Sequence, residues 1–295
     1  MNTTYELRQQ GDTASLKEHQ QSLYVLLREF DRVCAVLGIR YFLFAGSLLG
    51  AVRHQGFIPW DDDLDVILLR EDYERLLREG PDVLNKEQFY LQEEFGDHWP
   101  MFFSKLRLNG TTCLEKHHPK DDQIHMGVYM DIFPCDNACS GKLGRIFQFL
   151  CSKLIIANGL DARGYETDSL LKKILMLLCR HLPRNPVHRI VKGPQKRGSY
   201  VHSFLGGSSK LSKSVYPSRC FEEVVKLPFE DGVYQAPSGY DELLGILYGD
   251  YMHIPNEAER ELKKHVVLVD LKKPYTEYEG YTDGMKFDVP IRSIR

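Results

Sequence analysis

Apolar residues near the start of the chain recur every three to four positions, which predicts an amphipathic helix with one buried face. The pattern covers Thr13–Leu37, and Gly38 directly after it is a typical helix stop. A short apolar run at 41–45 then predicts a strand. The pair Gly46-Ser47 predicts a tight turn that ends this strand and opens a short helix.

Apolar runs of strand length continue as far as residue 133. The strands they predict span residues 64–69, 89–95, 101–109 and 127–133. The stretch EDYERLLREG at 71–80 predicts a helix that Gly80-Pro81 closes. The first 136 residues therefore predict a helix packed on a sheet with a mixed order of α and β elements, an α+β fold.

The segment 142–197 has a different pattern, because it is helical throughout and strongly basic. It contains twelve Lys and Arg against three Asp and Glu, a local net charge of +9, whereas the whole chain carries −3. The rest of the chain therefore carries about −12, and the charge is segregated. Two interpretations remain open: a helical subdomain with a solvated basic rim, or a surface that docks peripherally on anionic lipid or a polyanionic glycan.

The remaining part follows GGSSKLSKS at 206–214, which predicts a flexible connection. Two more helices are predicted within 238–252 and 256–265, and no periodicity is clear from Lys272 onward. The chain thus divides into three parts. They are a core at 1–141, a basic helical subdomain at 142–214, and a helical part at 215–295 that completes the core domain.

Composition narrows the class of protein. The chain has 295 residues, 43% of them hydrophobic and 27% charged, as in an ordinary globular protein. No run approaches the roughly 18 apolar residues of a membrane span, and the N-terminus lacks the apolar core of a secretory signal. Seven cysteines, an odd number spread along the chain, favour reduced thiols over a disulfide framework. We therefore expect a cytoplasmic protein, with any membrane contact at the inner face.

Four aspartates stand within five positions just before and inside the predicted strand at 64–69. Asp63 and Asp65 would share one face of an extended segment, Asp61 could join them, and Asp62 would face solvent. Carboxylates about 6 Å apart repel by about 3 kcal/mol per pair at an effective dielectric near 20. Oxygen ligands suit a hard cation, so the cluster predicts a Mg²⁺ or Mn²⁺ site.

Two further features point to the same chemistry. Asp131 lies between Met130 and Ile132 in an apolar strand, where an unpaired carboxylate is costly, so we expect it to complete the metal site. The Gly46-Ser47 turn leads into a helix whose backbone N–H groups could hold a phosphate.

These motifs resemble those of the LicD family, which is related to the fukutin-type proteins. The stretches that carry the resemblance are GSLLGAVRHQGFIPWDDDLDV, FSKLRLNGTT, VYMDIFPCD and YGDYMHIPNEAER, and only 142–214 is weakly covered. The resemblance implies a nucleotidyltransferase-like mixed sheet flanked by helices. It also implies a phosphotransferase that moves phosphocholine from CDP-choline to teichoic acid or another cell-surface glycan; fukutin-type relatives use CDP-ribitol.

The resemblance also assigns expected roles. Asp63 and Asp65 would bind metal, Asp131 would bind metal or act as general base, and Asp61 would lie in or next to the metal site. The expected nucleotide and phosphate contacts are Gly46, Ser47, Arg53, His54, Lys105 and Arg107. For the last four the alternatives are a surface helix end (Arg53, His54) and edge-strand charges (Lys105, Arg107). The choline candidates, each equally suited to core packing, are Trp60, Tyr129, Tyr248 and Tyr251. His117, His118 and His125 are expected in a loop.

Three other functions remain as alternatives. The donor could be CDP-glycerol or CDP-ribitol, or the enzyme could pass a nucleotide to a small acceptor and release pyrophosphate. A protein of another class, an inactive glycan-binding protein on the same scaffold, would not need the acids. A nucleic-acid partner is not expected, because the basic segment has no RNA-binding signature and the chain as a whole is acidic.

Overall fold

A computed structural model describes residues 14–96, 98–115, 123–163, 165, 167–206, 210–256 and 266–277, except for the side chain of Val267. The helices are α1 (Leu16–Leu37), α2 (Ala45–His54), α3 (Arg70–Val83), α4 (Lys142–Ala162), α5 (Leu170–Cys179), α6 (Arg184–Lys192) and α7 (Tyr240–Tyr248). The first six strands are β1 (Phe42–Leu43), β2 (Asp65–Leu69), β3 (Phe89–Gln92), β4 (Ser104–Leu108), β5 (Thr112–Glu115) and β6 (Tyr129–Asn137). The other five are β7 (Tyr200–His202), β8 (Val215–Pro217), β9 (Val224–Phe229), β10 (Gly232–Pro237) and β11 (Val266–Asp270).

The main sheet is mixed and runs in the order β1-β2-β6-β4-β3. Strands β2 and β6 are parallel, and the other neighbours in this order are antiparallel. Strand β7 pairs with the far end of β6, and β8 pairs with β7. The α+β class with a mixed sheet flanked by helices is thereby confirmed.

Helix α1 covers one side of this sheet. Ser15 caps its N-terminus in a capping box with Glu18, and Gly38 ends it in the left-handed conformation at φ +63°. Its buried face, which includes Leu26 and Phe30, joins the core formed with β2 and β6. The helix predicted from the apolar spacing is confirmed.

Helix α3 does not end where the sequence predicted. It continues through Gly80 and Pro81 to Val83. A proline disfavours the helical conformation of the preceding residue partly through a clash with its Cβ, and Gly80 has none. The Gly-Pro pair is therefore tolerated inside the last turn.

The C-terminal part is less helical than predicted. Residues 215–237 contain β8 and the β9–β10 hairpin. The α-helix within the described residues 210–256 is α7. The two loop residues of the β9–β10 hairpin are Glu230 and Asp231, and Glu230 has a positive φ of 54°. The predicted helix at 256–265 lies almost entirely outside the described residues, as do His117 and His118. Within 210–214, predicted to be flexible, a short 3₁₀ helix forms and Lys213 Nζ donates to the Leu247 carbonyl at 2.7 Å.

The basic segment forms α4, α5 and α6. Helices α4 and α6 join a second apolar cluster that includes Trp99, Phe102 and Ile155, whereas α5 packs on α4 in a smaller cluster. Helix α4 is long and apolar enough to meet the length and hydropathy requirements of a membrane span, contrary to the expectation from the sequence. It is nevertheless partly buried against its neighbours, so it is weak evidence of a span. All seven cysteines lie in the described residues, and all are free thiols.

Candidate active site

The site centres on a row of polar residues that crosses the main sheet. Asp65 of β2 is the register partner of Asp131 of β6, which in turn is opposite Lys105 of β4. Lys105 is opposite Gln92 of β3. Register partners point to the same face of a sheet, so four strands place these side chains side by side. Asp131 therefore lies next to Asp65, as the metal-site expectation required.

The other acids come from the loop just before β2, and α1 holds this loop in place. From α1, Gln20 Nε2 donates to the Ile58 and Asp61 carbonyls of the loop at 3.1 and 3.0 Å. His19 Nε2 lies 3.0 Å from the Asp62 carbonyl, to which it donates. Buried side chains of α1 thus fix the backbone that presents the aspartates.

Gly46 makes room for this cluster. A Cβ atom at Gly46 would lie 2.6 Å from Asp61 Oδ2 and 3.7 Å from Asp63 Oδ1. The carboxylates of Asp61 and Asp63 therefore both approach the first turn of α2. Strand alternation was expected to bring Asp61 and Asp63 together. Strand β2 begins only at Asp65, so the loop before it is what places the two carboxylates side by side.

Asp62 is placed differently from the prediction. It is buried, and its Oδ2 accepts a hydrogen bond from the Val266 backbone N–H at 3.0 Å. The expectation that it faces solvent is wrong, because alternation does not apply to a segment outside the strand. Ligand atoms of Asp61, Asp62 and Asp63 lie within 4.8 Å of one another, so Asp62 is also within reach of a cation at this loop.

Ser47 has a structural hydrogen bond in the site. Its Oγ accepts from the Asp65 backbone N–H at 2.8 Å, while the Asp65 carbonyl accepts from the Phe44 N–H at 3.0 Å. These bonds attach the start of α2 to the start of β2. Ser47 thereby positions Asp65, and any contact with a phosphate would be in addition to that.

Lys105 is almost fully buried, at 1% exposure, and lies between two carboxylates. Its Nζ is 3.0 Å from Asp131 Oδ1 and 3.3 Å from Glu115 Oε1. It also lies 3.2 Å from the centroid of the Tyr129 ring, a cation–π contact. Because β4 lies between β6 and β3, the alternative of an edge-strand charge is wrong for Lys105.

Glu115 was not singled out from the sequence, although it connects several parts of the site. It accepts hydrogen bonds from the Tyr129 hydroxyl at 2.5 Å and from the Arg163 guanidinium. The cations Lys105 and Arg163 overcome its burial and hold the pKa of Glu115 well below its usual range. Its only sequence signal was an acid at the end of the apolar run at 112–115.

Arg107 lies on the same face of β4 as Lys105, but its hydrogen bonds go to Gln92 and Gly127. Its Nε donates to Gln92 Oε1 at 2.8 Å and its Nη1 to the Gly127 carbonyl at 2.9 Å. It is buried, and its guanidinium lies 4.9 Å from the centroid of the Tyr129 ring. The edge-strand alternative is wrong here too, but these contacts do not point Arg107 at the acids.

Arg53 and His54 end α2 and contact the C-terminal part. Arg53 Nη1 donates to the carbonyls of Tyr251 and His253 at 2.8 and 3.1 Å, and its Nε to His54 Nε2 at 3.0 Å. The His54 ring packs edge-on against Trp60, with centroids 6.0 Å apart. These bonds fasten the segment after α7 to α2.

The predicted choline contacts are scattered. Tyr129 lies under Lys105, and Tyr251 donates its hydroxyl to Asp241 at 2.5 Å. Tyr248 is different, because burial and the nearby charges of Asp65 and its neighbours raise the pKa of its hydroxyl. Tyr248 is thus affected by the charges of the acids at 61–65, and the charge of Asp131 acts in the same way on Tyr129. His125 lies in a loop as expected, with its Nε2 3.0 Å from Asn109 Oδ1.

The electrostatics of the cluster favour a cation. Burial raises the pKa of Asp65 well above its usual range, and the charges of Asp63, Asp131 and Asp61 raise it further. Burial also raises the pKa of Asp131, against the opposing effect of Lys105. An oxygen-only donor set fits Mg²⁺ or Mn²⁺, and Asp61, Asp63, Asp65 and Asp131 are the residues that would hold it.

Comparison with known proteins adds the family. Residues 38–134 match the LicD family, described as the nucleotidyltransferase domain of LicD, FKTN and FKRP proteins. This range contains Asp61, Asp63, Asp65, Asp131 and Lys105. The resemblance to the LicD family seen in the sequence is thereby confirmed.

Particular relatives are transferases by name. The chain is 29% identical to the lipopolysaccharide cholinephosphotransferase LicD of Haemophilus influenzae over 258 residues, which cover 84% of this chain and 95% of that protein. Over 50 residues it is 52% identical to the human ribitol 5-phosphate transferase FKRP, a match that covers 16% of this chain and 10% of that protein. These similarities support an enzyme of the phosphotransferase type.

Proposed function

We propose that this protein is a metal-dependent transferase that moves phosphocholine from CDP-choline to a sugar hydroxyl. The acceptor would be a cell-surface glycan, such as a lipopolysaccharide or teichoic acid, or its lipid-linked precursor. The observation that carries the proposal is the pairing of Asp65 with Asp131 inside a LicD-type domain. Acids from two strands meet there at a point where a diphosphate and its cation could be held.

In the proposed reaction the acceptor hydroxyl attacks the β-phosphorus of CDP-choline. A new O–P bond forms, the bond from the β-phosphorus to the bridging oxygen breaks, and CMP leaves with the electron pair. The hydroxyl proton passes to a carboxylate oxygen of the cluster. A bound Mg²⁺ or Mn²⁺ would neutralise charge on the diphosphate. The protein's own contribution is to position the reactants and hold fixed charges around them.

One observation favours choline over a polyol. Choline has a quaternary ammonium group, which aromatic faces and carboxylates attract. Tyr248 interacts with Asp61, Asp63 and Asp65, so an aromatic ring and several acids stand together at the site. Ribitol and glycerol carry no charge for such a group to bind.

The test is CMP release from CDP-choline, CDP-glycerol and CDP-ribitol with Mg²⁺ and a panel of glycan acceptors. We expect CMP from CDP-choline, and its loss with a chelator or in Asp65→Asn. The matched control is Asp82→Asn, because Asp82 is exposed on α3 and outside the cluster. It makes the same change in charge and should leave turnover unchanged.

The alternatives predict different products. Pyrophosphate instead of CMP would show nucleotide transfer, and turnover confined to CDP-ribitol or CDP-glycerol would change the donor. Glycan binding that persists in Asp65→Asn, without turnover of any donor by the wild type, would indicate a binding protein. Each of these results contradicts the proposal.

A further inference from the structure

Helix α5 exposes nearly all of its large apolar side chains. Met176 and Cys179 are its buried residues, whereas Leu171 is 77% exposed and Leu178 is 75% exposed. The other exposed apolar residues of this helix are Leu170, Ile174, Leu175 and Leu177. Burying a leucine is worth about 1.5–3 kcal/mol, so a helix with this surface has much to gain from an apolar environment.

Helix α4 extends the same surface. Leu143, Phe147 and Leu150 are exposed, and their spacing of four and three residues places them on one face. Leu154 continues this stripe and packs in a small cluster with Met176 and Cys179 of α5. The two helices therefore present adjoining exposed apolar residues, which we call the α4–α5 face.

Basic residues accompany this face. Lys142 begins α4 beside Leu143, and Lys172 and Lys173 lie within α5; all three lysines are exposed. The acid Asp161 is already paired with Arg180, whose Nε is 2.9 Å from Asp161 Oδ2. An exposed apolar surface flanked by lysines, in a segment of net charge +9, complements an anionic lipid surface.

The buried side of α4 argues against a transmembrane placement of this helix. Gln148 Oε1 accepts from the Cys139 N–H at 2.7 Å, and Asn158 Nδ2 donates to the Cys179 carbonyl at 2.7 Å. Crossing a bilayer would break these bonds and expose both amides to hydrocarbon, at a cost of several kcal/mol each. The polar side of α4 therefore stays on the protein.

We propose that the α4–α5 face docks this protein peripherally on an anionic lipid bilayer. The apolar side chains enter the boundary between headgroups and acyl chains, and the lysines contact anionic headgroups. This inference does not depend on the proposed reaction, although it would bring the active site to an acceptor that is carried on lipid.

Vesicle flotation of the full chain tests the proposal. The probes are vesicles of phosphatidylcholine alone and of two parts phosphatidylcholine to one part phosphatidylglycerol. We expect the wild type to float with the anionic vesicles only. The double variant Leu171→Glu/Leu178→Glu should lower the partition coefficient at least about tenfold, because it removes two apolar contacts and adds two repulsive charges.

Two further variants separate the apolar and ionic parts. Val36→Glu/Val233→Glu is the matched control, since both valines are exposed on other elements, and it should float like the wild type. Lys172→Gln/Lys173→Gln should lower vesicle binding about tenfold at low salt, because each lysine near an anionic surface contributes up to about fivefold. The loss should be smaller at high salt, where these charges are screened.

Three results would overturn the docking proposal. They are no flotation of the wild type with anionic vesicles, equal flotation of Leu171→Glu/Leu178→Glu, or a lipid-free dimer that this variant converts to a monomer. The last would show that a second copy covers the face. CMP release with a water-soluble acceptor should be the same in this variant and the wild type, so failure of docking and failure of the proposed reaction can be told apart.

Discussion

Asp65 and Asp131 are direct register partners on the parallel strands β2 and β6, with Lys105 on the far side of Asp131. Two carboxylates thus stand side by side, Asp65 buried and Asp131 half-buried, and the structure supplies an internal cation to Asp131. Lys105 Nζ lies 3.0 Å from Asp131 Oδ1, whereas Asp65 faces the repulsion of Asp61 and Asp63. Because of this asymmetry, a cation bound beside Asp65 would relieve repulsion that Lys105 does not offset.

Lys105→Met should strongly destabilise the protein. The variant removes the buried cation shared by Asp131 and Glu115, whose side chains are 17% and 21% exposed. Removal of one partner from a fully buried ion pair costs about 3–5 kcal/mol, which is the upper bound here. Urea unfolding monitored by circular dichroism measures this change in the free energy of unfolding.

The control for Lys105 removes the second acid as well. Lys105→Met/Glu115→Gln should recover part of the lost stability. The side chain at position 115 is then neutral, so it no longer needs the cation, and it can still accept from the Tyr129 hydroxyl. An unfolding free energy within about 0.5 kcal/mol of wild type for Lys105→Met alone would contradict the buried ion pair.

Gly46→Ala should impair turnover more than it impairs stability. The new Cβ would overlap Asp61 Oδ2, at 2.6 Å, and must displace that carboxylate from the first turn of α2. We expect a lower apparent Mg²⁺ affinity and at least about a tenfold loss of kcat/KM, as a displacement of about 1 Å can cost a hundredfold. Initial rates across a Mg²⁺ titration give both quantities.

Gly245→Ala provides the comparison for Gly46. Gly245 also lies inside a helix, but a Cβ there would meet nothing within 4 Å. This variant should gain up to about 1 kcal/mol of stability from helix propensity and keep its activity. Equal activity in the two alanine variants would show that Gly46 does not make room for the acid.

Stability should fall as the pH drops from about 6.5 to about 4, and His202 should be one cause. Burial lowers the pKa of His202 from 6.5 to about 4. Its Nε2–H donates to the Val191 carbonyl at 2.9 Å, and its Nδ1 accepts from the Phe204 N–H at 3.3 Å. The folded state therefore requires the neutral ring. Between these pH values the unfolded chain binds the extra proton, so stability rises with pH there.

His202→Gln isolates this contribution. The pKa difference corresponds to about 3 kcal/mol across the interval, and glutamine does not titrate. Unfolding free energies measured from pH 4 to pH 7.5 should therefore show a shallower slope in the variant. An identical slope in wild type and variant would assign the effect to other groups, such as His188.

The sequence predicted much of the site because its signals are local. Acids at 61–65 next to an apolar strand, and Asp131 inside another, carried enough information to propose a shared cation. Their distance could not be read from the chain, because it depends on β2 and β6 being neighbours in the sheet. The expectation that Asp131 shares the site followed from the cost of an unpaired carboxylate in an apolar strand.

The failures have physical causes too. Alternation does not hold in the loop before Asp65, which is why Asp62 was misplaced. The edge-strand alternative for Lys105 is wrong because β4 is internal to the sheet. The local signal of Glu115 is weak, because its partners Lys105, Tyr129 and Arg163 come from three separate parts of the chain.

Binding of Mn²⁺ followed by electron paramagnetic resonance tests the central claim most directly. The claim is that acids from two strands hold one divalent cation site, so Asp65→Asn and Asp131→Asn should each weaken Mn²⁺ binding at least about tenfold. The control Asp82→Asn should bind like the wild type. Loss of binding in both cluster variants is the result that we predict, and unchanged Mn²⁺ affinity in Asp131→Asn would contradict it.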